Sequence, residues 1–265
     1  MHFHTKSAVL GSIGTLALGT FAYYVQKRLK NEQEIMEVIF THDKCEEERT
    51  KNINYLEISQ INFTPRNLKR IKAYIDGAQK TIDAAVYLFN VKELGSAVIR
   101  AHERGVTVRV IGCSSMQGAT GTQFADLNRA GIPVLFKQTS MCMHHKFCLV
   151  DTRDQTEREK KEAQSRILEI SRRKLKKSKS IPQKSDDEET EKEINERKEI
   201  KQNLPFIPKN GICITGSANW TMQAFTANWE NVIVTSNPTV LQSFRREFDR
   251  IWDDFTRAQK VKNVS

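Results

Sequence analysis

The sequence lacks a Cys-x-x-Cys pair, although it contains five cysteines. Five is an odd number, and three of these residues fall within apolar, strand-like runs. Small disulfide-stabilised scaffolds usually carry an even number of cysteines. The pattern therefore favours a reduced protein that faces the cytosol.

Zinc ligands are also scarce. Near the first predicted strand only His42 and Cys45 are available, with no second pair of ligands. Two ligands cannot complete a closed tetrahedral zinc site. We therefore predict no metal and no cofactor.

Charge is absent from residues 8–25, a length that spans roughly 27 Å as a helix. Because this run has no polar face, it does not fit an amphipathic core helix. No small-residue cleavage site is evident, which favours a retained anchor over a removed signal peptide. Only Lys6 precedes the run, so the heavier charge after it predicts a cytosolic C-terminal domain. The residues that mark this interfacial flank are Tyr23, Tyr24, Lys27, Arg28 and Lys30.

Acidic residues are outnumbered by basic ones, 32 against 42, which gives a net charge of +10 over 265 residues. The excess favours a polyanionic partner, either a nucleic acid or an anionic membrane surface. The length accommodates one good-sized domain with appendages.

The hydrophobic pattern alternates between strand and helix periods, with short glycine turns. This alternation predicts an α/β fold, a mixed sheet sandwiched by helices. The predicted strands cover residues 34–40, 81–89, 106–112, 134–136, 147–150, 211–215 and 232–234, and the predicted helices cover 66–79, 91–104, 122–130 and 238–257.

One short stretch carries the chemistry. His144, Lys146 and Asp151 form a His-x-Lys pair followed by an acid at a strand end. Residues at i and i+2 of a strand share a face, so the imidazole and the ammonium should lie side by side, with His145 turned away. An imidazole beside a fixed cation suits attack on a phosphodiester.

A second group lies downstream, where a strand ends in a turn that carries Gly216, Ser217 and Asn219, with Glu230 opening the next strand. Each feature alone has an ordinary explanation: a surface His-x-Lys, a helix cap or a solvated strand end. Together and in this order, they favour a functional site.

The joint pattern resembles the phospholipase D superfamily signature, and the surrounding residues 144–151 and 216–221 resemble its Zucchini branch, the mitochondrial cardiolipin hydrolases. The resemblance implies a phospholipase D-like fold, a homodimer, the mitochondrial outer membrane, and endonucleolytic cleavage in piRNA biogenesis and gene silencing. Many Zucchini-like proteins carry a small zinc finger after the first strand, and here the sequence departs from them.

The single His-x-Lys motif leads to a hypothesis about mechanism. Transfer through a phosphohistidine needs a second group to protonate the leaving oxygen, and a two-fold homodimer would supply a second His144. Lys146 and Asn219 would hold the non-bridging oxygens with help from Ser217. Asp151 and Glu230 would orient these groups, and Glu230 could fix the imidazole tautomer.

Three functions stay open. The substrate is single-stranded RNA, cardiolipin that is hydrolysed to phosphatidic acid, or both; alternatively the protein is an inactive membrane scaffold for RNA-processing partners. Arg66, Lys69 and Arg70 are candidates for binding a polyanionic substrate, although basic helix surfaces often serve solubility alone.

Residues 152–209 are highly charged and interrupt the hairpin that joins the two motif strands. We predict a disordered or fluctuating helical insertion near the edge of the active site. Its basic residues 172–179 either contact RNA or lipid headgroups or are only solvated. The predicted organisation is therefore a short N-terminal segment (1–7), an anchor (8–25), a basic linker (26–34), a catalytic domain (35–151 and 210–257), the insertion (152–209) and a tail (258–265).

Overall fold

The computed structural model describes residues 34–41, 65–180 and 204–262. The predicted anchor, most of the basic linker, His42 and Cys45 lie outside the described residues. Within these ranges, no helix is both long and apolar enough to cross a bilayer.

Strands and helices alternate along the chain. The strands are β1 (Met36–Thr41), β2 (Thr81–Val86), β3 (Thr107–Gly112), β4 (Val134–Leu135), β5 (Lys146–Val150), β6 (Ile212–Gly216) and β7 (Glu230–Thr235). The helices are α1 (Arg66–Asp76), α2 (Lys92–Glu103), α3 (Phe124–Arg129), α4 (Glu157–Ser180), α5 (Met222–Thr226) and α6 (Pro238–Lys262), with a 3-10 turn at Ser114–Met116. Helix α6 thus continues past the predicted domain boundary at residue 257.

The strands form one sheet in the order β1-β7-β6-β5-β2-β3-β4. Strands β2, β3 and β4 are parallel, whereas the other pairs are antiparallel. The predicted mixed sheet is confirmed. Strand β5 lies at the centre of this sheet, and Val86 of β2 pairs with Lys146 at its beginning.

Helices cover the sheet from both sides because successive strand residues point to opposite faces. On β2, Ala84 and Val86 pack into the larger core with α1, α2 and α5. Ala85 faces the other side and packs into a smaller core built on α6. The two cores fix which strand residues point toward each helical layer.

The first part of the insertion, residues 157–180, is a helix, so of the two predicted alternatives the helical one holds there and the disordered one is wrong. Thr156 caps α4: its hydroxyl accepts from the Glu159 N–H at 3.2 Å, and its own N–H donates to the Glu159 carboxylate at 2.7 Å. This reciprocal capping box stabilises a helix start. The composition of the insertion suggested disorder, but local capping outweighs composition here.

Helix α4 also packs against the domain. Ala163 is buried, and Ile167 lies over Gly105 at the end of α2. Arg166 donates to the His102 carbonyl at 2.8 Å. Thus the charged helix has a small apolar docking surface, which a count of its charges does not reveal.

The insertion begins at the end of the sheet opposite to the His-x-Lys pair. It follows Asp151, after the last residue of β5, and it ends before Ile212, the first residue of β6. Lys146 and Ser217 lie at the other ends of these two strands. This geometry corrects the expectation that the insertion starts beside the active site.

A buried carboxylate connects the sheet to the outer elements. The Asp83 side chain on β2 is completely buried and contacts Arg109, Arg153 and Arg245. Burial alone would raise the Asp83 pKa, but the hydrogen bond from Arg109 and the three positive charges lower it below its usual value. These arginines belong to β3, the segment before α4, and α6.

We predict that acid loosens the first turn of α4. The Arg153 hydrogen bond lowers the Glu159 pKa to about 2, from an ordinary value of 4.5. A lowered folded-state pKa contributes stability that is present above pH 4.5 and is lost as the pH falls toward 2. The protection of the α4 amides against hydrogen exchange, expressed relative to the intrinsic exchange rate at each pH, should therefore fall over that window.

Glu159→Gln is the matched variant for this test. It should exchange faster at neutral pH and should lose the acid-dependent step, while Glu162→Gln on the exposed side should behave like the unmodified protein. An unchanged exchange profile in Glu159→Gln would contradict the assignment.

Candidate active site

The sheet brings the two sequence motifs to one end. Strand β5 begins at Lys146 and β6 ends at Gly216, and the two strands are antiparallel neighbours. The start of one antiparallel strand lies beside the end of the other. His144 and Lys146 therefore meet the turn that carries Ser217 and Asn219.

The imidazole of His144 and the ammonium of Lys146 are in contact. Lys146 Nζ lies 3.2 Å from Nε2 and 3.3 Å from Nδ1 of His144, and 3.0 Å from its carbonyl oxygen. His145 points elsewhere, with Nε2 at 3.3 Å from the Glu247 carboxylate. The strand alternation predicted this division.

The surroundings of Lys146 act on its pKa in opposite directions. Burial lowers its pKa below 10.5, while the negative charge of Glu230 and the nearby Cys142 oppose that shift. The nearly equal distances to the two ring nitrogens place the ammonium over the imidazole rather than along either lone pair, and its protons can reach an anionic substrate. The pair therefore places a candidate nucleophile beside a fixed cation.

The carboxylate of Glu230 accepts hydrogen bonds from neighbouring side chains. Its carboxylate accepts from the Ser217 hydroxyl and from Asn228 Nδ2, the latter at 3.0 Å. Ser217 Oγ also accepts from the Asn231 N–H at 3.0 Å. The hydrogen-bond partners of Glu230 among the described residues are Ser217 and Asn228 and do not include His144, and the role of Glu230 in fixing the imidazole tautomer stays a prediction.

Asn219 presents a polar atom that has no partner among the described residues. Its Oδ1 is buried and accepts no hydrogen bond. A buried unpaired acceptor costs about 1–3 kcal/mol, and such costs concentrate at functional sites. The turn before it depends on Gly216, because a side chain there would collide with the Asn231 carbonyl.

Asp151 is not brought to the other site residues. It follows the far end of β5, and its carboxylate accepts from the backbone N–H groups of Gln79, Lys80 and Thr81 at 2.7–3.1 Å. Its own backbone is in the left-handed region, with φ 56°. These contacts correct the prediction that Asp151 orients the reacting groups: it fixes the turn before β2.

The three candidate substrate-binding residues lie on the exposed side of α1. They line a groove of about 500 Å³ together with Glu37, and no catalytic candidate lines it. Arg70 is paired with Glu37 at 2.9 Å. Arg66 begins α1 at the end nearer to Glu230. Its neighbour Asn67 donates to the carbonyl of Phe40, and the residue after Phe40, Thr41, pairs with Glu230 across β1 and β7. Lys69 and Arg66 remain candidates, while Arg70 has a structural partner.

Sequence reasoning missed two residues of the site, Tyr87 and Asn228. The Tyr87 ring lies 4.6 Å from the His144 ring, and Asn228 holds Glu230. Strand pairing could have indicated Tyr87, since it follows the β2 residue that pairs with Lys146. No sequence pattern points to Asn228, whose place depends on Thr41 donating to its carbonyl at 3.0 Å.

Across residues 34–41, 65–180 and 204–262, no group of three or more His, Cys, Asp or Glu side chains could hold a metal ion.

Comparison with known proteins identifies the family. A family model described as the cardiolipin synthase, PLD-like domain matches residues 71–252, which include all the catalytic candidates. The chain belongs to this phospholipase D-like family. The curated relatives are mitochondrial cardiolipin hydrolases: that of Drosophila melanogaster is 31% identical over 73% of this chain and 62% of its own length. That of Chlamydomonas reinhardtii is 25% identical over 83% of this chain and 74% of its own.

The fold has a counterpart among solved structures. NucT from Helicobacter pylori superposes with a TM-score of 0.50 and 12% identity, over 83% of this chain and 97% of its own. At this identity the likeness concerns the fold alone. It supports the α/β arrangement of a sheet between helical layers.

We predict that Asp151→Ala destabilises the protein. The change leaves three backbone N–H groups without their acceptor, at a cost of about 1–3 kcal/mol for each unsatisfied buried group. The free energy of unfolding, measured by denaturant titration, should fall by at least about 2 kcal/mol. Asp154→Ala, which removes an exposed acid three residues later, should change it by less than about 0.5 kcal/mol. Equal effects in the two variants would contradict the structural role.

Proposed function

We propose that the protein is a phosphodiesterase that acts through a phosphohistidine intermediate as a homodimer. The observation that carries this proposal is the contact between the His144 imidazole and the Lys146 ammonium at 3.2 Å, at the same end of the sheet as Ser217 and Asn219. Membership of the phospholipase D-like family supports the same chemistry.

The reaction proceeds in two displacements. In the first, a nitrogen of His144 attacks phosphorus, a nitrogen–phosphorus bond forms, and the bond to the leaving oxygen breaks. In the second, water attacks phosphorus and the nitrogen–phosphorus bond breaks, which releases the phosphate product. Lys146 and Asn219 stabilise the negative charge on the non-bridging oxygens as it develops.

A homodimer supplies the missing acid. The leaving oxygen takes a proton from His144 of the second subunit, and the same imidazole later accepts a proton from the attacking water. His144 and Ser217 are exposed in the described chain, which leaves this side of the site open to a second copy. Closed two-fold association is the commonest way to build such a shared site.

Two substrates suit this site. One is cardiolipin, supported by the names of the curated relatives, mitochondrial cardiolipin hydrolases, with phosphatidic acid as the product. The other is single-stranded RNA, supported by the net charge of +10 and by Arg66 and Lys69 on the exposed side of α1. Cleavage of RNA would place the protein in piRNA production and gene silencing.

The same proposal includes a location. The relatives' names favour mitochondria, and the uncharged residues 8–25 favour a single-pass anchor in the outer membrane, with the catalytic domain in the cytosol. An inactive scaffold is the alternative, and the complete set of reacting side chains counts against it.

The first test offers two substrates to the full-length protein reconstituted in vesicles with a chelator present. We expect cleavage of labelled single-stranded RNA to 5′-phosphate ends, release of phosphatidic acid from cardiolipin, or both. His144→Ala should abolish the activity, because it removes the nucleophile. His145→Ala is the matched control, since its ring points to the Glu247 side, and it should remain active.

Each outcome separates the possibilities. Cleavage of RNA alone assigns the nuclease, release of phosphatidic acid alone assigns the lipase, and no product with either substrate favours the scaffold. Loss of activity on chelation would contradict the metal-independent mechanism.

The second test concerns the shared site. Wild-type and His144→Ala chains are co-expressed with different tags at increasing excess of the variant. If both imidazoles are needed, a mixed dimer is inactive, and activity per wild-type chain falls in proportion to the wild-type fraction. Dilution with Asp154→Ala should cause no fall. Constant activity per wild-type chain under dilution with His144→Ala would show that one imidazole suffices.

A further inference from the structure

Tyr87 lies just after β2, at the point where the chain pairs with the segment that carries His144. It directly follows Val86, the β2 residue that pairs with Lys146. Its backbone N–H donates to the His145 carbonyl at 2.8 Å, which continues the β2–β5 pairing by one further bond. The backbone around His144 is thereby attached to the centre of the sheet just before β5 begins.

The Tyr87 ring touches both members of the reacting pair. Its centroid lies 4.6 Å from the centroid of the His144 ring, with the two planes tilted by 58°. Lys146 Nζ lies 5.1 Å from the same centroid. One aromatic ring therefore contacts the nucleophile and its cation at once.

We propose that Tyr87 is a positioning residue for the reaction: its ring holds the His144 imidazole in the orientation that meets phosphorus. This inference rests on the proposed phosphodiesterase function.

The physical reason lies in the exposure of His144. An exposed imidazole samples several rotamers unless neighbouring groups restrict its two side-chain torsions. An aromatic neighbour restricts them through ring contact worth about 0.5–1.5 kcal/mol. The attraction between the ammonium and the ring face adds about 0.5–1 kcal/mol at an exposed site and keeps Lys146 against the imidazole.

The ring, rather than the hydroxyl, should carry this role. The contacts with His144 and Lys146 are both measured to the ring, and the described residues include no hydrogen-bond partner for the Tyr87 hydroxyl. Tyr87→Phe keeps the ring and should preserve function, whereas Tyr87→Leu keeps only part of the apolar volume and removes the flat surface.

The kinetic test compares these two variants on whichever substrate the wild-type protein cleaves. Tyr87→Leu should lower kcat by about 10- to 100-fold, because small misplacements of a reacting group cost factors of this size. KM should change by less than about twofold, since the ring acts on the nucleophile rather than on substrate binding. Tyr87→Phe should restore kcat to near the wild-type value.

Phe244→Leu is the matched packing control. Its ring packs 4.8 Å from Phe147 on the other side of the sheet, away from His144. It should lower the melting temperature without the selective loss of kcat. If Tyr87→Leu and Phe244→Leu lose activity only in proportion to their loss of stability, the positioning role is overturned. An equal loss of kcat in Tyr87→Phe and Tyr87→Leu would also overturn it, because the hydroxyl would then be responsible.

A second readout does not require turnover. Diethyl pyrocarbonate acylates accessible imidazole nitrogens, and mass spectrometry can follow its rate at His144 and His145 separately. Tyr87→Leu should change the acylation rate of His144 and leave that of His145 unchanged. An unchanged His144 rate overturns the inference. If the rate changes but no phosphodiester is cleaved by the wild-type protein, the positioning contact stands and the proposed function fails.

Discussion

The buried carboxylate of Asp83 is the interaction on which the arrangement of the layers depends. An ionised group without exposure is costly unless positive partners surround it, and removal of one partner from such a cluster is strongly destabilising. Here the partners come from β3, from the segment that precedes α4, and from α6. Because Asp83 sits on β2 opposite Leu149 of β5, the cluster joins the outer helices to the two central strands.

The register of these two strands then determines the site. With Asp83 opposite Leu149, Val86 lies opposite Lys146, and the next residue, Tyr87, reaches the segment that carries His144. A shift by one residue would turn Lys146 to the other face of the sheet. The antiparallel neighbour β6 brings Ser217 and Asn219 to the same end. The candidate catalytic residues and the ion cluster are thus parts of one strand pairing, with the candidate site at one end and the charged helix α4 attached near the other.

Sequence reasoning performed differently for different kinds of feature. The alternation of strands and helices, the shared face of His144 and Lys146, and the grouping with Ser217 and Asn219 were predictable, because each follows from a local period or a motif order. Asp151 was placed wrongly because the motif order was given more weight than the strand within it: at about 3.3 Å per residue, β5 separates Asp151 from Lys146 and puts the two at opposite ends of the sheet. Helix α4 was underestimated because its capping pair, Thr156 and Glu159, is a small signal within a highly charged composition.

The sequence by itself determined the family, the α/β layering and the chemical types of the candidate catalytic residues, since these depend on residue type and on periods of two or 3.6 residues. Only the tertiary structure decided that Asp151 supports a turn, that Glu230 holds Ser217, and that the Tyr87 ring lies against His144. The physical reason is that these contacts join residues from different strands, and their partners are fixed by sheet register and packing rather than by distance along the chain.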